Sequence, residues 1–407
     1  MLVKTLLPAF VAIGSAAAQS GTCTANGGTT TINSQADATQ MASCKTLKGD
    51  VVIGTNAGPA IDISGPGEIT GALRILNNGL IESFTSNDLT KVGGEFRIQN
   101  TTKLSSLNMP KLTSAKTIQW QSVTSLENPT LGPLTSADEI IISDTVLRTL
   151  DAFQLKTTRK MDINNNPRLT KFNMGLQNLG EIMALQANGL RDQGIDVDLP
   201  NLVWIANMTI ANVSTFEVPS LRVVNGSARF DSNFFESFSA PNLTALTSGD
   251  LSFIGNAQLT NLTFPKLTNI GGGLLVANNT ALEKIDGFPE LTHVGGAVKL
   301  RGSFDEAELP SLENVKGTFD ASSTTDIDSS CKEFEKHAPQ GEGGNGDVQG
   351  SLTCTSNNTR ANEETGTDIV GGGSGGSGDD GENGAVGMSL NSALFGLVAL
   401  AGFAVAL

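Results

Sequence analysis

The feature that most constrains this chain is a tetrapeptide that keeps returning. Met109-Pro-Lys-Leu112, Leu199-Pro-Asn-Leu202, Val218-Pro-Ser-Leu221, Ala240-Pro-Asn-Leu243, Phe264-Pro-Lys-Leu267, Phe288-Pro-Glu-Leu291 and Leu309-Pro-Ser-Leu312 share one grammar: an apolar residue, Pro, a variable residue and Leu. Degenerate copies at Leu89, Leu134, Leu155 and Leu179 fill the gaps, and Leu47 and Ile69 extend the series toward the N-terminus. The ladder therefore runs from residue 47 to residue 312 with a mean step of about 22 residues. Self-similarity at that period marks a repeat array rather than two or three ordinary domains.

Each repeat carries further order. One or more Gly often follow the ladder residue, as in Val92-Gly-Gly, Ile270-Gly-Gly-Gly and Val294-Gly-Gly. A short alternating stretch comes next, such as Leu73-Arg-Ile75, Phe96-Arg-Ile98, Ile118-Gln-Trp120, Met161-Asp-Ile163 or Val298-Lys-Leu300. Alternation with period two predicts a strand with one buried face. An Asn or Asp then recurs (Asn77, Asn100, Asp144, Asn165, Asn256, Asn278), a residue type whose side chain bonds to backbone at turns. A unit this short cannot enclose a core, but stacked units bury a continuous apolar column. The expected fold is mainly β: a single solenoid of leucine-rich-repeat or parallel β-helix type, with Pro at coil corners where no ladder N–H is needed.

A solenoid needs closed ends, and the four cysteines sit there. Cys23 and Cys44 precede the first ladder residue, and Cys331 and Cys354 follow the last. Three pairings are possible in principle. The local one, Cys23–Cys44 with Cys331–Cys354, closes loops of about one coil and is the expectation for a secreted chain.

Both termini read as addresses. Lys4, the apolar run to Ala12 and the small residues Ala16 and Ala18 predict a signal peptide over residues 1–18. The solenoid is expected over 19–337 and a Gly/Ser-rich acidic tether over 338–383, containing Gly371-Gly-Gly-Ser-Gly-Gly-Ser-Gly378. Residues 384–407 end in the uncharged apolar stretch Ala393–Leu407, shorter than the ~20 residues of a spanning helix. Small residues, spacer and terminal apolar tail form a GPI-attachment signal. Asn383 is the expected lipidation site, with Gly381 and Gly384 as alternatives, and the plasma membrane is the partner such an anchor implies. Eight sequons, at Asn100, Asn207, Asn212, Asn225, Asn242, Asn261, Asn278 and Asn357, predict surface glycosylation.

Composition narrows the chemistry. A formal net charge of −15 argues against nucleic acid, which is held by cationic surplus. Only His293 and His337 could serve as histidine bases, and neither lies in a nucleophile motif. No motif calls for a metal or cofactor. Gly271-Gly-Gly273 lacks the Lys-Ser/Thr of a phosphate loop and reads as a coil corner. The outward strand positions Arg74, Arg97, Gln119, Ile141, Asp162, Arg229, Leu275 and Lys299 are mixed, with one acid. Arg74 and Arg97, one coil apart, suggest a cationic step. Asp305, Glu306, Glu308, Asp326 and Asp328 are read as a solvated face. Trp120 and Trp204 are read as core. A catalytic role is not expected.

The combination of signal peptide, Cys23, Leu47-Lys-Gly-Asp-Val-Val-Ile, Pro-x-Leu-Thr coils, Cys331/Cys354 and a Gly/Ser-rich tail resembles the fungal GPI-anchored cell-wall organisation proteins of the extracellular-mutant and sporulation-specific type. The body is similar to receptor L domains. The resemblance implies a glycoprotein at the outer face of the plasma membrane and in the cell wall, needed for wall integrity, with no catalytic residues to assign. The alternatives are a carbohydrate-binding module on the solenoid sheet, with wall β-glucan or mannan as partner, or a β-helix polysaccharide-degrading enzyme.

Overall fold

The computed structural model describes residues 21–362 and shows a parallel β-solenoid of about 14 turns, with coils about 22 residues apart. One parallel sheet runs its whole length, from Thr22–Ile32 and Thr46–Ile53 through strands such as Lys91–Gln99, Glu139–Thr145, Asn178–Gln186 and Leu251–Ile254 to Phe319–Ser323 and Leu352–Thr355. Shorter strands elsewhere in the coils form smaller parallel groups, such as Ala60–Asp62, Ser83–Thr85, Ser106–Met109 and Thr130–Leu131. The register sets like residue on like. Leu73, Phe96, Ile118, Ile140 and Met161 form one inward row; Ile75, Ile98, Trp120, Ile142 and Ile163 form the next. All ten are buried. Farther along, the filling turns aromatic: Phe230 stacks on Phe253 at 4.6 Å and Phe264 on Phe288 at 5.0 Å. Each such side chain contributes roughly 1.5–3 kcal/mol by leaving water.

The recurrent tetrapeptide is a β-turn. In every copy the Leu N–H donates to the carbonyl of the residue before Pro, for instance Leu112 to Met109 at 3.1 Å and Leu291 to Phe288 at 3.3 Å. Pro presets φ at the second turn position and needs no donor there. The two apolar ends of the motif point into the core. The Thr that often follows joins coil to coil: the hydroxyls of Thr113, Thr268 and Thr292 donate to the carbonyls of Thr90, Thr244 and Thr268.

The Asn/Asp position of the repeat is two adjacent columns with different tasks. The outer column is left-handed, with φ of +52° at Asn77, +53° at Asn100, +56° at Asp144, +53° at Asn165 and +57° at Asn278. Asn and Asp tolerate this conformation better than other side chains. The inner column, Asn78, Asn166, Asn188, Asn233, Asn256 and Asn279, is buried. There Asn233 Nδ2 donates to Asn256 Oδ1, and Asn256 Nδ2 to Asn279 Oδ1, both at 3.0 Å. Asn256 thus belongs to the inner column, and Gly255 takes the left-handed place beside it at φ +64°.

The coil-corner glycines are fixed by close approach. A Cβ on Gly295 would lie 2.1 Å from the Gly271 carbonyl oxygen, and one on Gly271 would lie 2.2 Å from that of Thr247.

Both disulfides form as expected, Cys23–Cys44 and Cys331–Cys354. Each end also carries a short helix that the repeat pattern did not announce. Gln35–Gln40 is closed by a reciprocal cap, in which the Asp37 N–H donates to Ser34 Oγ and the Ser34 N–H to Asp37 Oδ2. Asp328–Glu335 places Phe334 on Phe319 at 4.6 Å, over the last core layer. The expected boundary at residue 337 falls short. Leu352–Thr355 pairs in parallel with Phe319–Ser323, and Ala361 is fully buried. Residues 338–362 are mostly polar, but the backbone of Leu352–Thr355 completes the sheet, Val348 is buried, and Cys354 anchors the segment. The rest of the expected tether lies outside the described residues.

Candidate functional site

The broad outward face of the long sheet is the main regular surface. The eight outward positions named from sequence share one register row, which runs Arg74, Arg97, Gln119, Ile141, Asp162, then through Ala184 and Thr209 to Arg229, Ser252, Leu275, Lys299 and Asp320. Parallel strands lie about 4.8 Å apart, so this row is a straight file of side chains along the solenoid axis.

Its charges are largely answered on the face itself. Arg74 bonds Asp50 at 2.7 Å and Glu95 at 3.1 Å, and Arg97 reaches Glu95 at 3.5 Å. Arg159 is held between Glu139 and Glu181. Arg229 pairs with Asp231, and Arg301 with Asp320 at 2.5 Å. The expected cationic step is therefore corrected. Arg74 and Arg97 are neighbours, but Asp50 and Glu95 neutralise them, and these acids fell outside the residues singled out from the alternating pattern. The Ala72 N–H and the Arg74 guanidinium hold the Asp50 carboxyl below its usual value. Burial pushes the Asp231 carboxyl up, against the opposing pull of Arg229. A shallow polar groove of about 340 Å³ opens at the last coils, lined by Lys299, Arg301, Thr318, Asp320, Thr353 and Asn358 among others.

Trp120 is core, fully buried and edge-on to Phe96 at 5.7 Å. Trp204 is not. It is half-buried on the outer side of the short strand Trp204–Ile205, whose Ile205 points inward. His293 stands in register between Asn269 and Asn314, as its place in the repeat predicts. His337 Nδ1 lies 2.8 Å from Asp347 Oδ2, a pair that ties the C-terminal cap together. Glu306 bonds Lys284 at 2.5 Å, and Asp326 accepts from the Asp328 N–H and the Ser356 hydroxyl. Among the described residues no cluster of three or more His, Cys, Asp or Glu could hold a metal.

The sequons sit at different turns of the coil. Asn100, Asn212, Asn278 and Asn357 occupy left-handed turn positions. Asn207 and Asn242 bridge coils: Asn207 Nδ2 donates to the Glu181 carbonyl at 3.0 Å, and Asn242 Nδ2 to that of Pro219 at 2.8 Å. Asn225 and Asn261 are exposed. None falls in the row of Arg74. Asn383 and the apolar tail lie outside the described residues, within which no helix is long and apolar enough to cross a membrane.

A disulfide-capped parallel solenoid with a long, charge-paired face defines the class of extracellular solenoid repeat proteins. Comparison with known proteins then sets the family. The family model described as Ecm33, GPI-anchored cell wall organization protein, matches residues 1–42. Protein ecm33 of Aspergillus fumigatus is 36% identical over 337 residues, 82% of this chain and 82% of that protein. A cell surface GPI-anchored protein of Arthroderma benhamiae is 33% identical over 85% of this chain and 86% of its own length. Sporulation-specific protein 2 of Saccharomyces cerevisiae is 34% identical over 72% of this chain and 58% of its own. The chain belongs to the Ecm33 family. No solved structure matches it.

Proposed function

We propose that this chain is a non-catalytic, GPI-anchored cell-surface glycoprotein that supports fungal cell-wall organisation, with its outward sheet face lying against uncharged wall polysaccharide, β-glucan or mannan. Membership of the Ecm33 family supports the wall role. The observation that carries the partner class is the pairing of charges on the face. A surface whose arginines are paired with its own carboxylates offers amides, hydroxyls, paired charges and the apolar Ile141, which suits a neutral polyhydroxyl chain better than a polyanion or polycation.

A glycosidase would need two carboxylates flanking a sugar bond, one of them with a raised pKa. The pairs Asp50/Glu95 and Glu139/Glu181 each enclose an arginine and Asp50 is shifted down, while Asp231, the carboxyl on this face that burial pushes up, is bonded by Arg229. That arrangement supports the non-catalytic reading.

Deletion of the gene, scored against wall-stress dyes, tests the wall role; wild-type tolerance would refute it. Pull-down of the secreted protein on insoluble β-glucan and on mannan tests the face. Binding should be weakened by an unpaired charge introduced in the row, such as Gln119→Glu. Undiminished binding by that variant would move the contact elsewhere. Release of reducing sugar from either polymer would overturn the non-catalytic assignment.

A further inference from the structure

Trp204 and its neighbours form an apolar shelf on an otherwise polar corner. Trp204 pairs in register with Val223 of the next coil, and both are half-buried while Ile205 and Val224 beside them point inward. Val203, at 39% exposure, is one of three exposed large hydrophobics among the described residues. Gln177, Asn178 and Arg222, all exposed, frame the shelf: Val203 donates its N–H to the Gln177 carbonyl, and Arg222 donates its own to that of Val203, both at 2.9 Å.

The sequon Asn225-Gly226-Ser227 begins two residues beyond Val223. Asn225 is exposed, and its N–H donates to the Ile205 carbonyl at 2.9 Å, which keeps it in the ladder beside the Trp204 strand. Parallel strands lie about 4.8 Å apart and rise about 3.3 Å per residue, so a residue two beyond Val223 lies roughly 8 Å from Trp204, within reach of an aromatic side chain. Asn207 is also near, but its Nδ2 is bonded to the Glu181 carbonyl and its Oδ1 accepts the Ser227 N–H at 3.0 Å, which holds its side chain between coils.

We propose that the glycan N-linked to Asn225 folds back onto this shelf, with its first N-acetylglucosamine residue packed against Trp204 and Val223. A pyranose ring has an apolar C–H face that suits an indole, and its hydroxyl rim meets Gln177, Asn178 and Arg222. The shelf is thereby covered by the chain's own carbohydrate and is not a docking site for wall polymer. The proposal rests on the secreted, glycosylated reading above.

Tryptophan quenching by iodide tests it on the secreted full-length protein, because Trp120 is fully buried and Trp204 alone answers to solvent. Asn225→Gln, and separately complete removal of N-glycans by a peptide N-glycosidase, should raise the quenching constant about twofold as one indole face opens to water. Asn261→Gln should leave it unchanged. Peptide mass spectrometry should find Asn225 occupied. Unchanged quenching in Asn225→Gln, or an empty Asn225 beside other filled sequons, would overturn the proposal alone. No glycan at any sequon would overturn the glycosylated reading and this proposal with it.

Discussion

Asn256 Nδ2 donates to Asn279 Oδ1 at 3.0 Å, from one coil to the next inside the core. Asn256 Oδ1 in turn accepts from the backbone and side-chain amides of Asn233, at 2.9 and 3.0 Å, and its Nδ2 also serves the Phe230 carbonyl. One side chain therefore satisfies buried polar groups of the two coils that flank its own. Such a network stabilises only while every member is paired.

Asn256→Ala leaves those partners buried and unbonded. A loss of about 3–5 kcal/mol is expected from the cost of several orphaned groups. Asn201→Ala, at an exposed turn position, should change stability by less than about 0.5 kcal/mol. Urea unfolding compares the two. Equal small losses would mean that the ladder does not bind the coils.

Gly295→Ala drives a methyl group into the Gly271 carbonyl, where backbone cannot yield without moving a coil. A melting temperature lowered by several degrees is expected, at a cost of about 1–3 kcal/mol for overpacking. Gly341→Ala, whose Cβ would meet nothing within 4 Å, should melt like the parent. If both variants melt alike, close approach is not what fixes the corner glycines.

Asp50 and Asp231 should respond to pH with opposite sign. The Asp50 carboxyl is held down by the Ala72 N–H and Arg74, so its folded pKa lies below the unfolded one. Its contribution is complete above the unfolded value, about 3.9, and is lost as pH falls through the folded value. Asp50→Asn should lower stability at neutral pH and flatten the acid limb. Asp231 is pushed up by burial, so its folded form holds the proton more tightly. It costs stability above its folded pKa, and that cost fades as pH falls toward the unfolded one. Asp231→Asn should raise stability at neutral pH and remove the gain on mild acidification. Urea midpoints across the acid range distinguish these signs.

Replacing Cys331 and Cys354 by Ala opens a loop spanning 23 residues at the C-terminal end. A loss of about 3 kcal/mol is expected for a loop of this size. Because a coil touches only its neighbours, the damage should stay local. Hydrogen exchange should quicken in Phe319–Ser323 and Leu352–Thr355 and not in Thr46–Ile53. Uniform loss of protection along the chain would contradict nearest-neighbour stability.

Much of this was legible in order along the chain. The Pro-x-Leu turn, the inward alternation and the row from Arg74 to Lys299 depend on local chemistry repeated at a fixed period, so one copy read correctly places the rest. His293 was placed that way, by its siblings Asn269 and Asn314. Trp204 was misread because a two-residue corner strand has too little alternation to show which residue faces out. Arg74 and Arg97 were misread because their counter-charges, Asp50 and Glu95, come from other parts of the coils. The expected end at 337 falls short because the Gly-rich polar stretch before Leu352–Thr355 hides a strand that joins the sheet through backbone bonds and rests Leu352 and Cys354 against the core, which composition does not report.

The sequence by itself determined the period, the strand, the turn and the cysteines at the ends, because each follows from backbone and side-chain preferences within about one coil. It also determined that like would stack on like. Tertiary structure alone decided what stacking does to each column: which Asn is buried and paired with its successor, which Gly meets a carbonyl, and which charge finds its opposite. Those outcomes depend on atoms about one coil away in sequence and about 4.8 Å away in space, a distance that only the wound chain creates.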